Sequence, residues 1–287
     1  MAFRTERGRL ALMIGPPLVW LCAFLLAPLL ILFAWSFRDG MGGEPFGDFH
    51  FTLENYRSLL ETPSYLRLLA DSALIALLVA IGATVLAYPV AYFLAFRVRE
   101  RAFAYVVLLL VPFWVSYLLR VMAWKVILGP NGVVNTFLLW CGAIDEPFSL
   151  FFYSRVAVVV TLIYVWIPFA ALPIAATLYR IERSVLEAAA NLGASPTRRF
   201  LHVTLPLSLP GVISSVVMVF IPTVGEYVTP MLVGGSSGAM YGNIILDFFG
   251  RSLNWPLGAA LAMVMVAGIL VLSAAASRLS RAPLNPG

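Results

Sequence analysis

The chain has one lysine, two histidines and two cysteines in 287 residues, and only 11% of its residues are charged. Each scarcity excludes something. A Walker A loop needs a lysine directly after glycine to reach nucleotide phosphates, whereas Lys125 stands in Ala-Trp-Lys-Val. The chain therefore cannot bind ATP in that way. His50 and His202 are far apart in sequence and give no support for a histidine-bound haem or metal centre. Cys22 lies in an apolar run and Cys141 in a polar connection, a poor pair for a disulfide. No basic stretch is interleaved with aromatics, which argues against nucleic-acid binding. Nor is there an acid–base pair, a nucleophile triad or a metal-ligand spacing. The polypeptide does not read as an enzyme by itself, and no cofactor is expected in this chain.

What the chain has in abundance is hydrophobicity, with 61% apolar residues and a mean hydropathy of +0.93. A soluble domain is about 25% charged and about 45–50% apolar, so lipid must cover much of this surface. Uncharged runs occupy 10–37, 72–96, 102–119, 156–179 and 252–277, and 200–225 is interrupted only by His202. Each approaches or exceeds the roughly 18–20 residues that cross a bilayer as a helix. Continuous apolar runs fit helices rather than the alternating strands of a barrel. The expectation is an all-α integral membrane protein: one transmembrane domain over 1–287, with helices at about 10–37, 70–96, 102–128, 156–179, 205–229 and 253–277. The first run is too long for a signal-peptide core and is expected to be retained. Pro89, Pro112, Pro168, Pro173 and Pro222 fall within the runs and remove backbone donors there.

Arginine placement predicts the orientation. With the N-terminus inside, Arg4, Arg7, Arg9, Arg97, Arg99, Arg101, Arg180, Arg183, Arg198, Arg199, Arg278 and Arg281 all fall inside, 12 of the 19 basic residues. Asp39, Glu44, Asp48, Glu54, Glu61, Asp145 and Glu146 then fall outside, and both termini are expected to be cytoplasmic.

The connection 180–206, between the fourth and fifth helices, reads as two short helices. Ser184 and Glu187 have capping-box spacing, Ala188, Ala189 and Ala190 favour helix and leave a smooth face, and Gly193 suits a left-handed terminator. Ser195 then precedes Pro196 as a cap for the second helix. A structured pair with a small-residue face suggests a docking surface.

Within that connection, Glu187-Ala188-Ala189, three residues, Gly193, nine residues, Val203, one residue and Leu205-Pro206 resembles the permease signature of ABC importers, Glu-Ala-Ala-x3-Gly-x9-Ile-x-Leu-Pro, with valine for isoleucine. The resemblance implies a coupling helix that enters a groove on a cytoplasmic ATPase. Glu187 would pair with a basic residue there, and Gly193 would permit close approach. Phe220-Ile-Pro-Thr-Val-Gly-Glu-Tyr-Val-Thr-Pro230, Leu232-Val-Gly-Gly235, Gly242-Asn-Ile and Asn254-Trp-Pro-Leu-Gly258 are similar to spermidine/putrescine-type permeases. The early first helix and the outer Glu54-Asn-Tyr-Arg57 resemble the first of the two permease subunits in such importers. That likeness implies a second homologous permease, two cytoplasmic ATPases that bind the ATP, an extracytoplasmic binding protein and the bacterial inner membrane.

A solute pathway needs polar groups near the spans. Glu226 at the end of the fifth helix is at a costly depth for an acid, and it could receive an ammonium group while Tyr227 offers a ring face to a cation. The other reading of Glu226 is an ion pair with a neighbouring arginine. Asp247 and Trp255, in the outer connection, are further pathway candidates. A secondary transporter or channel is the alternative class, and it expects buried acids or histidines inside the spans.

Overall fold

The computed structural model describes residues 2–39, 50–147 and 151–281, with side chains from 13 to 275 within those ranges. Glu44 and Asp48 lie outside the described residues, as do the side chains of Arg4, Arg7, Arg9, Arg278 and Arg281. In chain order the α-helices are α1 (Ala2–Ser36), α2 (Glu54–Glu61), α3 (Pro63–Tyr92), α4 (Ala102–Leu110), α5 (Tyr117–Ile127) and α6 (Val133–Trp140). They continue with α7 (Arg155–Leu178), α8 (Arg183–Asn191), α9 (Pro196–Arg199), α10 (Leu205–Val224), α11 (Tyr241–Gly250) and α12 (Trp255–Arg281). Among the described residues the only β pairing is the isolated bridge between Arg38 and Phe51.

Five helical segments are long and apolar enough to cross a membrane: 13–36, 63–97, 155–178, 196–224 and 255–275. A sixth is broken. Segments 99–114 and 117–127 meet at 80°, where the sequence predicted one continuous helix over 102–128. Pro112 lies in a short 3-10 turn over Val111–Trp114, and Val115 is extended. Ser116, also non-helical, then precedes α5. Arg120 and Lys125 lie in the second helix of this pair.

The contacts of the chain divide it into two compact units, 1–66 with 244–267, and 67–243 with 268–287. In the first unit, the end of α1 is tied to α2. Ser36 Oγ lies 2.7 Å from the Tyr56 hydroxyl, and the Asn55 amide donates to the carbonyls of Ser36 and Arg38. Trp35 packs against Trp255 with ring centroids 5.2 Å apart.

The second unit is built on small residues. Ala76, Ala80, Ala83, Ala87 and Ala91 of α3 are fully buried, and their near-fourfold spacing makes one flat stripe. In lipid there is no hydrophobic drive between helices, so close backbone approach and hydrogen bonds do more of the work. Both occur here. A side chain at Gly211 of α10 would meet the Pro173 carbonyl at 2.8 Å. Thr84 and Ser215 join α3 to α10 at 2.9 Å, and Tyr88 and Ser208 do so at 2.8 Å.

Candidate functional site

The connection after α7 begins with an anchored turn. The Tyr179 hydroxyl donates to the Leu94 carbonyl at 2.8 Å, and Arg99 donates to the Tyr179 carbonyl at 3.0 Å. The Arg99 guanidinium also lies 5.8 Å from the centre of the Tyr179 ring. Burial raises the Tyr179 phenol above its ordinary value although Arg99 pulls the other way, so the hydroxyl stays a donor.

Helix α8 starts two residues earlier than a capping box on Ser184 requires. Glu182 is the N-cap residue, extended at φ −70° and ψ 141°, with no side-chain cap. Ser184 therefore sits at the second helical position, and its hydroxyl donates to the Glu182 carboxylate. Glu187 lies beyond the first turn and cannot reach back to the cap. The predicted capping box does not form. Glu187 is exposed, and among the described residues no hydrogen bond or ion pair engages its carboxylate.

The end of α8 follows the sequence expectation. Gly193 has φ +84°, its amide donates to Ala190, and the Ala194 amide donates to Ala189 at 3.1 Å. Those two bonds make the left-handed terminator that glycine favours. Ser195 accepts from the Arg198 amide at 3.3 Å with Pro196 at the first helical position.

The second short helix is not separate, because 196–224 runs on as one span. A π turn over Phe200–Thr204 precedes Leu205 and Pro206, both half-buried. Proline has no N–H to give, and a turn of π geometry is where such a helix accommodates a lost bond.

The exposed face of α8 holds two residues that the motif does not name. Val185 is 42% exposed and Leu192 is 88% exposed. With Ala188 they recur at i, i+3 and i+7, one apolar stripe beside Glu187. That periodicity is readable in the sequence, interleaved with the motif residues.

The pathway candidates are divided. Helix α10 ends at Val224 rather than near residue 229, and Glu226 lies in the turn that follows. Its Oε1 accepts the amides of Val228 at 2.9 Å and Thr229 at 3.2 Å. Glu226 thus caps a helical turn, and among the described residues it makes no arginine pair. Asn243 donates to the Tyr227 carbonyl at 2.8 Å, and Tyr227 is 43% exposed. Asp247 and Trp255 belong to the other compact unit. Asp247 lies within α11 rather than in a loop, 3.8 Å from Arg251. Trp255 opens α12, whose first turn is capped by Asn254 Oδ1 accepting from the Leu257 amide at 3.2 Å.

Around Glu226 the structure gathers residues that sequence reasoning missed. The Tyr117 hydroxyl meets Thr229 Oγ1 at 2.6 Å, and the amide of the same Thr229 donates to the Glu226 carboxylate. Arg120, one turn along α5, places its guanidinium 4.2 Å from the Phe113 ring centre and 5.8 Å from that of Tyr117. Phe113 in turn meets Phe169 edge-on at 4.6 Å. Tyr117 and Thr229 are 112 residues apart, and nothing in the local sequence announces their pairing.

Apolar helices long enough to cross a bilayer, two of them joined by an amphipathic helical connection, define a membrane component. The family described as "binding-protein-dependent transport system inner membrane component" matches residues 10–283, and the chain belongs to that family. It is a permease subunit of an ABC importer, whose ATPase is a separate subunit. The chain is 35% identical over 257 residues to the spermidine/putrescine transport system permease protein PotB of Escherichia coli K12, covering 88% of this chain and 92% of that protein. It is 32% identical over 292 residues to the inner membrane ABC transporter permease protein YdcU of the same organism, covering 95% and 90%. The fold is similar to a chain of a bacterial ABC transporter that imports alginate, with a TM-score of 0.75 at 15% identity, over 99% of this chain and 100% of that one.

Proposed function

We propose that the whole chain acts as one permease domain, with both termini cytoplasmic, and imports a polyamine or related small cationic solute. It forms half of the solute pathway, a second homologous permease forming the other half. Two cytoplasmic ATPases bind the ATP, and an extracytoplasmic binding protein delivers the solute. Connection 180–206 transmits ATP binding to the spans. Glu187, Ala188, Ala189 and Gly193 make the contact with the ATPase, while Leu205 and Pro206 join it to α10.

The observation that carries the coupling role is the free carboxylate of Glu187 on a helix fixed at both ends. An exposed acid without a partner in its own chain is available to a basic residue on another. Val185, Ala188 and Leu192 supply apolar surface beside it. For the solute, the reading rests on the likeness to permeases named for spermidine and putrescine, and on Glu226 and Tyr227 at the end of the fifth span.

The test is the reconstituted complex. Proteoliposomes holding this chain, its partner permease and the ATPases, supplied with the binding protein, should take up radiolabelled putrescine or spermidine only with ATP. The isolated chain should hydrolyse none. Turnover of ATP by the isolated chain, or uptake without ATP, would exclude the proposal.

A further inference from the structure

We infer that Phe113, Tyr117 and Glu226 form a cation subsite on the solute pathway, and that Arg120 is its built-in occupant, which an ammonium group of the solute displaces. The inference rests on the cationic-solute reading above.

Arg120 is the feature that needs an account. It lies in the second helix of the bent pair that makes the sixth span candidate and is half-buried, and its Nε is buried without a hydrogen-bond partner. Among the described residues no ion pair engages it. An arginine at such a position is expensive and usually marks function. What holds the guanidinium is aromatic: the Phe113 ring at 4.2 Å and the Tyr117 ring at 5.8 Å. Both are within the roughly 6 Å over which a ring face attracts a cation. Tyr117 links this place to Glu226 through Thr229: its hydroxyl meets Thr229 Oγ1 at 2.6 Å, and the Thr229 amide donates to the Glu226 carboxylate at 3.2 Å. The geometry is that of a cation site with a cation already in it.

An exchange of cations explains why such an occupant is tolerable. A solute ammonium entering an empty aromatic site would bring a new charge into the span. Entering as Arg120 swings out on its long, flexible stem, it leaves the local charge unchanged. Retention of both cations is disfavoured because like charges this close repel. Beyond Phe113 the rings continue, with Phe169 at 4.6 Å and then Trp166 at 5.7 Å from Phe169. A solute with several ammonium groups meets successive ring faces along α7.

The test uses the complete complex in proteoliposomes with radiolabelled putrescine as probe, and compares wild type with Arg120→Gln, Phe113→Leu and the double variant. Membrane abundance and thermal unfolding serve as controls for structural damage. Arg120→Gln should lower the KM for putrescine by about fivefold, the worth of one ring contact no longer contested, and should raise ATP hydrolysis without solute. Phe113→Leu should raise the KM, and in its presence Arg120→Gln should give no gain. If Arg120→Gln raises the KM or abolishes uptake at normal abundance, the arginine binds solute or partner, and the inference is overturned. No change in either readout overturns it as well. A wild-type complex that takes up neither putrescine nor spermidine overturns the cationic-solute reading itself, a different failure visible before any variant is made.

Discussion

The Ala194 amide donates to the Ala189 carbonyl at 3.1 Å across Gly193, closing α8 so that its exposed face is held at a fixed angle to the start of the fifth span. Gly193 makes this closure possible with φ +84°, and nothing lies within 4 Å of where its Cβ would be. A substitution there acts through backbone strain rather than through a clash within this chain.

Gly193→Val should therefore destabilise the terminator by about 1–2 kcal/mol, the penalty for a side chain in the left-handed region, whereas Gly193→Asn should be tolerated. Solute-stimulated ATP hydrolysis should fall strongly for valine and little for asparagine. Equal loss in both variants would place the role of Gly193 in contact with the ATPase and not in its backbone angle.

Gly211 faces α7 so closely that any Cβ meets the Pro173 carbonyl at 2.8 Å and Thr177 Oγ1 at 2.5 Å. Gly211→Leu should cost about 1–3 kcal/mol of stability by overpacking, seen as a lower unfolding temperature and reduced membrane abundance. Gly268, with nothing within 4 Å, is the control: Gly268→Ala should be neutral or mildly stabilising.

Glu226 caps the turn that begins at Val228 through one carboxylate oxygen. Glutamine keeps an oxygen at that place but no charge. Glu226→Gln should leave abundance unchanged and raise the KM for putrescine by about tenfold, the difference between a charge-assisted and a neutral contact. Unchanged KM would confine Glu226 to capping.

Much of this was legible in the sequence, though unevenly. Apolar runs mark spans because length and hydrophobicity are local properties. Ser195 and Gly193 were readable for the same reason, since a cap and a left-handed terminator depend on adjacent residues. The supposed capping box at Ser184 failed on a choice between neighbours: Glu182 holds the serine hydroxyl, and the helix starts at Arg183. The 80° break after Trp114 was hidden because Pro112 resembles the other span prolines, most of which sit inside helices. Tyr117 meeting Thr229 and Arg120 lying on Phe113 depend on how that broken span folds back. No pattern of spacing encodes them.

Orientation can be read by cysteine labelling in intact cells. Cys22 and Cys141 are both exposed, so each is first replaced by serine. Ser195→Cys should then be shielded from an impermeant reagent added outside, and Ser58→Cys should react. Labelling of Ser195→Cys from outside would invert the topology and remove the ATPase from connection 180–206.

The most direct test of the coupling role is solute-stimulated ATP hydrolysis by reconstituted complexes carrying Glu187→Gln. Glutamine preserves the size and helix preference of glutamate, and among the described residues no hydrogen bond or ion pair depends on the charge. A charge-assisted contact at a partly desolvated interface is worth about 1.5–3 kcal/mol against about 1 for a neutral one. The account predicts normal membrane abundance with stimulated hydrolysis and putrescine uptake reduced together, by roughly twofold to thirtyfold on that difference. Wild-type coupling in Glu187→Gln would contradict it, and the contact with the ATPase would then have to rest on Val185, Ala188 and Leu192 alone.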